Sequence, residues 1–400
     1  MREKEFSLGA KQMKIAVVSD VLGEENNGTT VAAYNLIRFL KKQGHEVRVL
    51  CPDQSKKGED GFFIVPNLNL GKPINKYFEK VGVALSKPQR EIVEQALDGV
   101  EHVHSILPFA LGKMAMKIAH EKGITVTAGF HMQAENFTSH VKLNKWHAVN
   151  KMVYKYIYNG FYKYVEGIHY PTQFIRETFE NEIKKQTNGY VISNGVHAYV
   201  QKRDVEKPEE FKDKIVLLSV GRYSREKSQD TLLKAVLKSK YKDKIQLILA
   251  GQGQKEKAYK KLAKKLPLPP LMRFFKREEM LDILNYADLY VHPAEIELEG
   301  IACLEAIACG KLVIVSDSTL SATRHFAVDK RCVFENRNPE DLARTLDYWI
   351  ENPDEKKEVE QKYWEEASIF DQEECMKRME KMIYEVVEKN KAKREEKSCE

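Results

Sequence analysis

His292-Pro-Ala-Glu-Ile-Glu-Leu-Glu-Gly-Ile-Ala-Cys-Leu-Glu-Ala-Ile-Ala-Cys-Gly310 joins an apolar strand to an apolar helix through an acidic loop. The strand, residues 289–292, ends at Pro293, which has no backbone N–H to give a sheet. The helix opens after Gly300. Its first N–H groups, near Ile301, Ala302 and Cys303, have no intrahelical partners and carry the positive end of the helix dipole. Such an end is an anion site. Glu305 follows about one turn in, able to reach round the terminus toward a ribose diol. Glu297 stands eight residues earlier, on the loop. The same residues also describe an acidic surface loop ahead of a helix whose early glutamate suits the dipole.

Outward from this stretch, short β-branched runs alternate with charge-rich helical segments, the pattern of βα units around parallel sheets. The first half offers strands at residues 14–19, 46–50, 62–65, 102–105, 124–128 and 190–193. A second series lies at 215–220, 245–250, 272–275, 289–292, 312–315 and 332–334. Between them, residues 198–214 are charged, contain Pro208 and lack periodicity, which marks a linker. The expected architecture is therefore α/β, with two Rossmann-like doubly wound domains facing across a cleft, residues 1–200 and 201–370. Residues 371–400 form a terminal helix expected to pack back on the first domain, with apolar Met376, Met379, Ile383 and Val387 spaced three or four apart and a charged end.

Composition narrows the class. A chain of 400 residues exceeds the usual single core. With 42% hydrophobic and 31% charged residues it is neither largely disordered nor collagen-like. No apolar run approaches the roughly 18–20 residues that cross a bilayer. The first residues, including Arg2, Glu3, Lys4 and Glu5, lack the apolar middle of a secretion signal, so a cytoplasmic protein is expected. The six cysteines show no C-x-x-C pair, which disfavours zinc and a disulfide framework. A net charge of +6 allows an anionic partner without naming one.

Ser219-Val-Gly-Arg-Tyr-Ser-Arg-Glu-Lys-Ser228 follows the first strand of the second series. It places Arg222 and Lys227 at the C-terminal edge of the sheet, where open α/β sheets bind their ligands. Arg suits bidentate contact with a diphosphate, and Lys acts as a point charge. Each alone is an ordinary surface cation; with the acidic loop they sort charge, positive for phosphate and carboxylates for hydroxyls.

Taken together, Gly221-Arg222 and Lys227, Ala250-Gly251-Gln-Gly253, and Glu297 with Glu305 followed by Ala306 and Gly310 resemble family-4 retaining glycosyltransferases of the GT-B fold. Asn27-Gly28-Thr29-Thr30, Gly44-His45-Glu46-Val47, His131 and Asn194-Gly195-Val196 extend the likeness over nearly the whole chain. The stretch from Glu299 to Glu305 also looks like that of bacterial glycolipid-forming members. The resemblance implies an acceptor-side first domain and a nucleotide-sugar-binding second one. It makes Arg222 and Lys227 the diphosphate clamp, Glu305 the ribose ligand, Glu297 the carboxylate beside the donor sugar and His131 the first-domain residue touching that sugar. Gly300, Ile301 and Ala302 become the phosphate cradle, and Gly28, Gly221, Gly251 and Asn194 border the donor.

Three positions depart from the pattern. Leu298-Glu299 replaces the common Gly-Phe, so Glu295 and Glu299 compete with Glu297, which is chosen on its eight-residue spacing. His197 stands where an Asp usually follows Asn-Gly-Val. Ser316-Asp-Ser-Thr-Leu-Ser-Ala-Thr-Arg324 lacks the usual Gly-rich turn with a glutamate. These bear on sugar identity more than on reaction class. The resemblance implies retention by same-face attack without a protein nucleophile. No acidic cluster with a divalent-metal pattern is present, and the fixed cations supply charge, so neither a metal nor another cofactor is expected.

Between Glu135 and Glu166 the chain has no acidic residue. Lys142, Lys145, Lys151, Lys155 and Lys163 stand there among aromatics, and Leu143, Trp146, Val149, Val153, Ile157 and Phe161 make one apolar stripe. Such a segment suits the headgroup layer of an anionic bilayer, or equally a core helix with solvated lysines. With the basic, apolar residues 72–87 it points to a lipid acceptor such as diacylglycerol and a peripheral position on the inner face of the membrane. Rival readings are transfer to a soluble or cell-envelope polysaccharide precursor, and a non-catalytic nucleotide-sugar-binding protein. A dinucleotide oxidoreductase is disfavoured because no G-x-G-x-x-G follows the first strand, and nucleic-acid binding because no single-strand-binding fold accompanies the basic stretch.

Overall fold

The computed structural model describes residues 12–23, 28–69, 71, 86–139 and 146–398. Thirteen strands are described, and their order and pairing define two sheets. The first contains β1 (Lys14–Val18), β2 (Glu46–Cys51), β3 (Phe62–Ile64), β4 (His102–Ser105), β5 (Thr125–Gly129), β6 (Gly167–Tyr170) and β7 (Gly189–Val191), in the order β3-β2-β1-β4-β5-β6-β7. The second contains β8 (Ile215–Val220), β9 (Ile245–Ala250), β10 (Leu271–Arg273), β11 (Leu289–His292), β12 (Val313–Ser316) and β13 (Val333–Phe334), in the order β10-β9-β8-β11-β12-β13. Every pairing between these strands is parallel. Parallel strands are covered on both faces, which is why Ile245–Ala250 is buried along its whole length.

Strand order reverses between β1 and β4 in the first sheet and between β8 and β11 in the second. Loops leaving the C-terminal ends of neighbouring strands at a reversal diverge to opposite faces and open a crevice for ligands. The loops after β8 and β11 carry the Arg222/Lys227 and Glu297 motifs, so the topology brings both to one crevice.

β6 is a strand the sequence reading did not identify. Gly-Ile-His-Tyr is four residues long with little β-branching, and its place comes from pairing with β5 and β7 rather than from local preference. The face of the first sheet that carries His102 and His104, in register with Ile15 and Val17, is unusually polar. His102 bonds Thr125 and Thr127 at 2.7 Å each, and His104 bonds Thr127 at 2.9 Å. The helix Gln372–Ser398 covers this side: Met376, Met379, Ile383 and Val387 are buried in the same cluster as Ile15, Val17 and Ile192. His45 fastens it. Met13 N donates to His45 Nδ1 at 3.2 Å, so Nε2 carries the proton and donates to Glu380 Oε1 at 2.7 Å. The chain returns to this lobe through a parallel bridge between Val196 and Asp371.

Candidate active site

The loop after β8 and the loop after β11 are joined through their backbones. Glu295 N and Ile296 N both donate to Glu226 O, at 2.8 and 3.4 Å. Gln229 Nε2 fixes the first loop by donating to Arg222 O at 2.9 Å. Gly251 begins the loop after β9 against this one: a Cβ there would lie 2.1 Å from Gly221 O, so only glycine permits the approach.

Lys227 Nζ forms an ion pair with Glu297 Oε2, and His292 Nε2 lies 3.0 Å from the same oxygen. Burial alone raises the Glu297 carboxyl, but the Lys227 charge beside it and the His292 and Lys227 hydrogen bonds outweigh burial and hold it below the usual range. Glu297 is therefore a fixed carboxylate with a fixed cation against it. Arg222, by contrast, projects into solvent with 57% of its side chain exposed, 3.9 Å from Glu226.

The neighbouring glutamates are occupied elsewhere. Glu295 is paired with Arg337 at 2.5 Å. Glu299 accepts from Ser193 Oγ, Asn194 N and Asn194 Nδ2 of the other lobe. Of the three candidates, Glu297 alone pairs with Lys227. Asn194, expected to border the donor, is buried and spends its side chain on Glu299, which makes it a junction residue.

Gly300 begins the helix Ile301–Ala308 with φ of +85°, and a Cβ there would come within 2.5 Å of Thr323. Cys303 N already donates to Gly300 O at 2.8 Å, which corrects the reading of its N–H as open and leaves those of Ile301 and Ala302 at the helix end. Glu305, one turn in, pairs with Arg277 Nη2 at 2.7 Å. Neither Arg277 nor Arg337 was legible as a site residue, since each lies far along the chain from the carboxylate it meets.

The first lobe meets this loop at several points. Gly28 opens the helix Gly28–Lys42 opposite Ile301, whose Cδ1 lies 3.6 Å from the position a Cβ would take. Gln133 Nε2 donates at 2.9 Å to Leu320 O, which also accepts from Glu297 N at 3.3 Å. His131, two residues before Gln133, stands edge-on to His169 with ring centroids 5.4 Å apart. Burial, with His169 beside it, lowers its pKa to about 3, so the ring is neutral at physiological pH. Among the described residues, no group of three or more His, Cys, Asp or Glu could hold a metal ion.

The lysine and aromatic segment is partly described. Lys142, Lys145 and Leu143 lie outside the described residues, as do Asn27 and most of residues 72–87. The helix His147–Gly160 buries Asn150, Tyr154 and Ile157. Trp146, expected on the membrane and acceptor surface, is 63% exposed at the helix start, and the buried face of the helix is centred on Tyr154. Met152, Tyr156 and Tyr164 are exposed as well. Lys155 and Lys163 are exposed and Lys151 half-buried. Lys113 lies over the Tyr156 ring at 4.8 Å and Lys163 over Tyr164 at 4.6 Å. No helix among the described residues is long and apolar enough to cross a membrane.

Two parallel-sheet lobes, with paired cations, carboxylates and a helix end at the switch point of the second, define the GT-B class of nucleotide-sugar enzymes. Residues 200–366 match the family described as Glycosyl transferases group 1, and residues 26–198 match Glycosyltransferase Family 4. The chain belongs to the family-4 glycosyltransferases of the GT-B fold. It is 23% identical over 374 residues to the alpha-monoglucosyldiacylglycerol synthase of Acholeplasma laidlawii, covering 86% of this chain and 89% of that protein. The catalytic domain of cholesterol-alpha-glucosyltransferase from Helicobacter pylori is 44% identical, covering 38% of this chain and 97% of that chain, with a TM-score of 0.36. Anabaena HepE in complex with UDP shares the fold, with a TM-score of 0.73 at 15% identity over 93% of this chain and 100% of that one.

Proposed function

We propose that this glycosyltransferase moves a hexose from a nucleotide-diphosphate sugar, UDP-glucose or UDP-galactose, to the hydroxyl of a membrane lipid such as diacylglycerol. The product is an α-glycoside, formed with retention. The observation that carries the donor half is the Lys227–Glu297 ion pair beside the open end of the helix Ile301–Ala308. A cation and a carboxylate are held together where a diphosphate and a sugar can each take one of them.

Cleaving the sugar–phosphate bond develops negative charge on the diphosphate and positive charge on the anomeric carbon. Fixed donors aimed at the leaving group lower that barrier. In this reading Arg222, Lys227 and the N–H groups of Ile301 and Ala302 take the diphosphate, and Glu305 takes the ribose diol. Glu297, released from Lys227, accepts from the sugar hydroxyls while neutral His131 contacts the sugar from the other lobe. The acceptor oxygen bonds to the anomeric carbon on the face the phosphate leaves, and the departing phosphate oxygen takes the acceptor's proton. No protein nucleophile enters. The cations already neutralise the diphosphate, so the reaction needs no divalent metal. The seated lobes keep out water that would hydrolyse the donor.

The acceptor half draws on the exposed Trp146, Met152, Tyr156 and Tyr164 set among lysines, a mix of rings and cations suited to an anionic headgroup layer. The relative from Acholeplasma laidlawii, named a monoglucosyldiacylglycerol synthase, supports the same choice. The chain then sits peripherally on the inner face of the cell membrane. A panel of UDP- and GDP-hexoses with anionic vesicles containing diacylglycerol or a sterol, read by mass spectrometry, tests the proposal. A glycosylated diacylglycerol from one UDP-hexose is the expected product. Transfer only to a water-soluble acceptor moves the reading to a polysaccharide precursor, and binding of UDP without any transfer makes the protein a nucleotide-sugar binder.

A further inference from the structure

The acidic loop is held from the opposite lobe at two consecutive residues. Thr172 Oγ1 donates to Leu298 O at 3.0 Å. Glu299, 4% exposed, accepts three bonds: from Ser193 Oγ at 2.6 Å, Asn194 N at 2.9 Å and Asn194 Nδ2 at 2.5 Å. Leu298 and Glu299 are the only residues between Glu297, which pairs with Lys227, and Gly300, which opens the helix Ile301–Ala308.

Ser193 and Asn194 also stand where the chain leaves the first lobe. Val196 N donates to Phe370 O at 2.7 Å, and Gln372 N donates to Val196 O at 3.0 Å, so the outgoing and returning strands of chain are tied at this point. The crossing between the lobes is thus fastened beside Ser193 and Asn194. Glu299 is bonded to that crossing through its side chain and belongs to the donor loop through its backbone.

We infer that Glu299 is a positioning residue that transmits the seating of the lobes to the donor loop, so that Glu297 is correctly set only while the interlobe clasp is closed. The inference rests on the glycosyl-transfer reading of the site. Leu298-Glu299 stands where the family pattern has Gly-Phe, so the carboxylate of the clasp occupies a position where that pattern has an apolar ring. Its chemistry is specific: three donors converge on two carboxylate oxygens, and an amide in their place turns an NH2 toward one of them.

Glu299→Gln and Thr172→Val in the full chain test this, with UDP binding by calorimetry, transfer from UDP-glucose to diacylglycerol vesicles, and hydrogen exchange over residues 193–196 and 296–303. In Glu299→Gln, kcat falls about tenfold while UDP affinity stays within about twofold, because the loop is misplaced and the nucleotide contacts are not. Exchange rises at both segments together in each variant, while the helix Gln229–Lys238 keeps its protection. Wild-type kcat and exchange in Glu299→Gln overturn the inference, as does a parallel fall of kcat, UDP affinity and Tm, which marks a merely structural residue. A wild-type chain that neither binds UDP nor transfers sinks the glycosyl-transfer reading. The exchange data still decide the clasp, since deprotection of one segment without the other contradicts it.

Discussion

Arg277 Nη2 lies 2.7 Å from Glu305 Oε1, closing over the carboxylate proposed to receive the ribose. Glu305 keeps 13% of its side chain exposed and Arg277 41%, so the pair is reachable from the crevice. Tyr199 backs the guanidinium, with Arg277 5.2 Å from its ring centroid. The arginine fixes the orientation of Glu305 through Oε1, and among the described residues no bond to Oε2 is seen.

Arg277→Ala therefore weakens nucleotide binding without touching the chemical step. A charge-assisted bond is worth roughly 1.5–3 kcal/mol, reduced here to about 1 kcal/mol because the arginine is partly solvated. UDP affinity measured by calorimetry should fall about fivefold, with kcat at saturating donor changed less than about threefold. A large loss of kcat at unchanged affinity contradicts this role.

Lys227→Ala should act on the other parameter. Removing one preorganised donor to a developing anion typically costs about 2.7–4 kcal/mol, or roughly 100–1000-fold in kcat. Steady-state transfer kinetics read this directly. Retention of more than about a tenth of wild-type kcat would remove Lys227 from the leaving-group clamp.

Glu299 gives the fold a pH dependence of defined sign. Burial pushes its pKa from 4.5 up to about 7, against the lowering by its Ser193 and Asn194 donors, and Glu297 on the same loop adds to the rise. Cys375 of the terminal helix is the other titratable group coupled to it, and burial keeps that thiol neutral, with its pKa about 12. A carboxyl raised on folding contributes stability that is complete below about pH 4.5 and lost as pH climbs through about 7. The loss is at most about 3 kcal/mol. Denaturant midpoints at pH 5 and pH 8 should fall further in wild type than in Glu299→Gln, and equal slopes in the two proteins contradict the shift.

The aromatic and lysine surface predicts salt-sensitive membrane binding. Each lysine near an anionic surface is worth roughly 1 kcal/mol. Reversing Lys155 and Lys163 to Glu should then lower vesicle affinity by more than about tenfold, and Trp146→Ala should weaken what remains at high salt. Sedimentation with anionic vesicles at low and high salt measures both. A wild-type chain that stays in the supernatant at low salt defeats the lipid-surface reading.

Much of the fold was legible because parallel strands buried on both faces, such as Ile245–Ala250 and Ile215–Val220, read as near-continuous apolar runs, interrupted here by Gln246 and Ser219 alone. β6 was not, since its position is set by neighbours and not by its own residues. The convergence of the Lys227 and Glu297 loops on one crevice was legible, since each follows a strand at the reversal of strand order. Spacing could not by itself decide among Glu295, Glu297 and Glu299; their partners Arg337, Lys227 and Asn194 separate them in three dimensions. Tyr154 was absent from the apolar stripe read from the sequence, yet the buried face is centred on it, because its hydroxyl bonds Glu135 at 2.7 Å and is satisfied in the interior.

A crystal structure with UDP bound tests the central claim most directly. The account predicts the diphosphate between Arg222, Lys227 and the amides of Ile301 and Ala302, the ribose hydroxyls on Glu305, and Lys227 drawn away from Glu297. UDP seated elsewhere, or in this crevice with the Lys227–Glu297 pair intact and no phosphate contact from either cation, contradicts it.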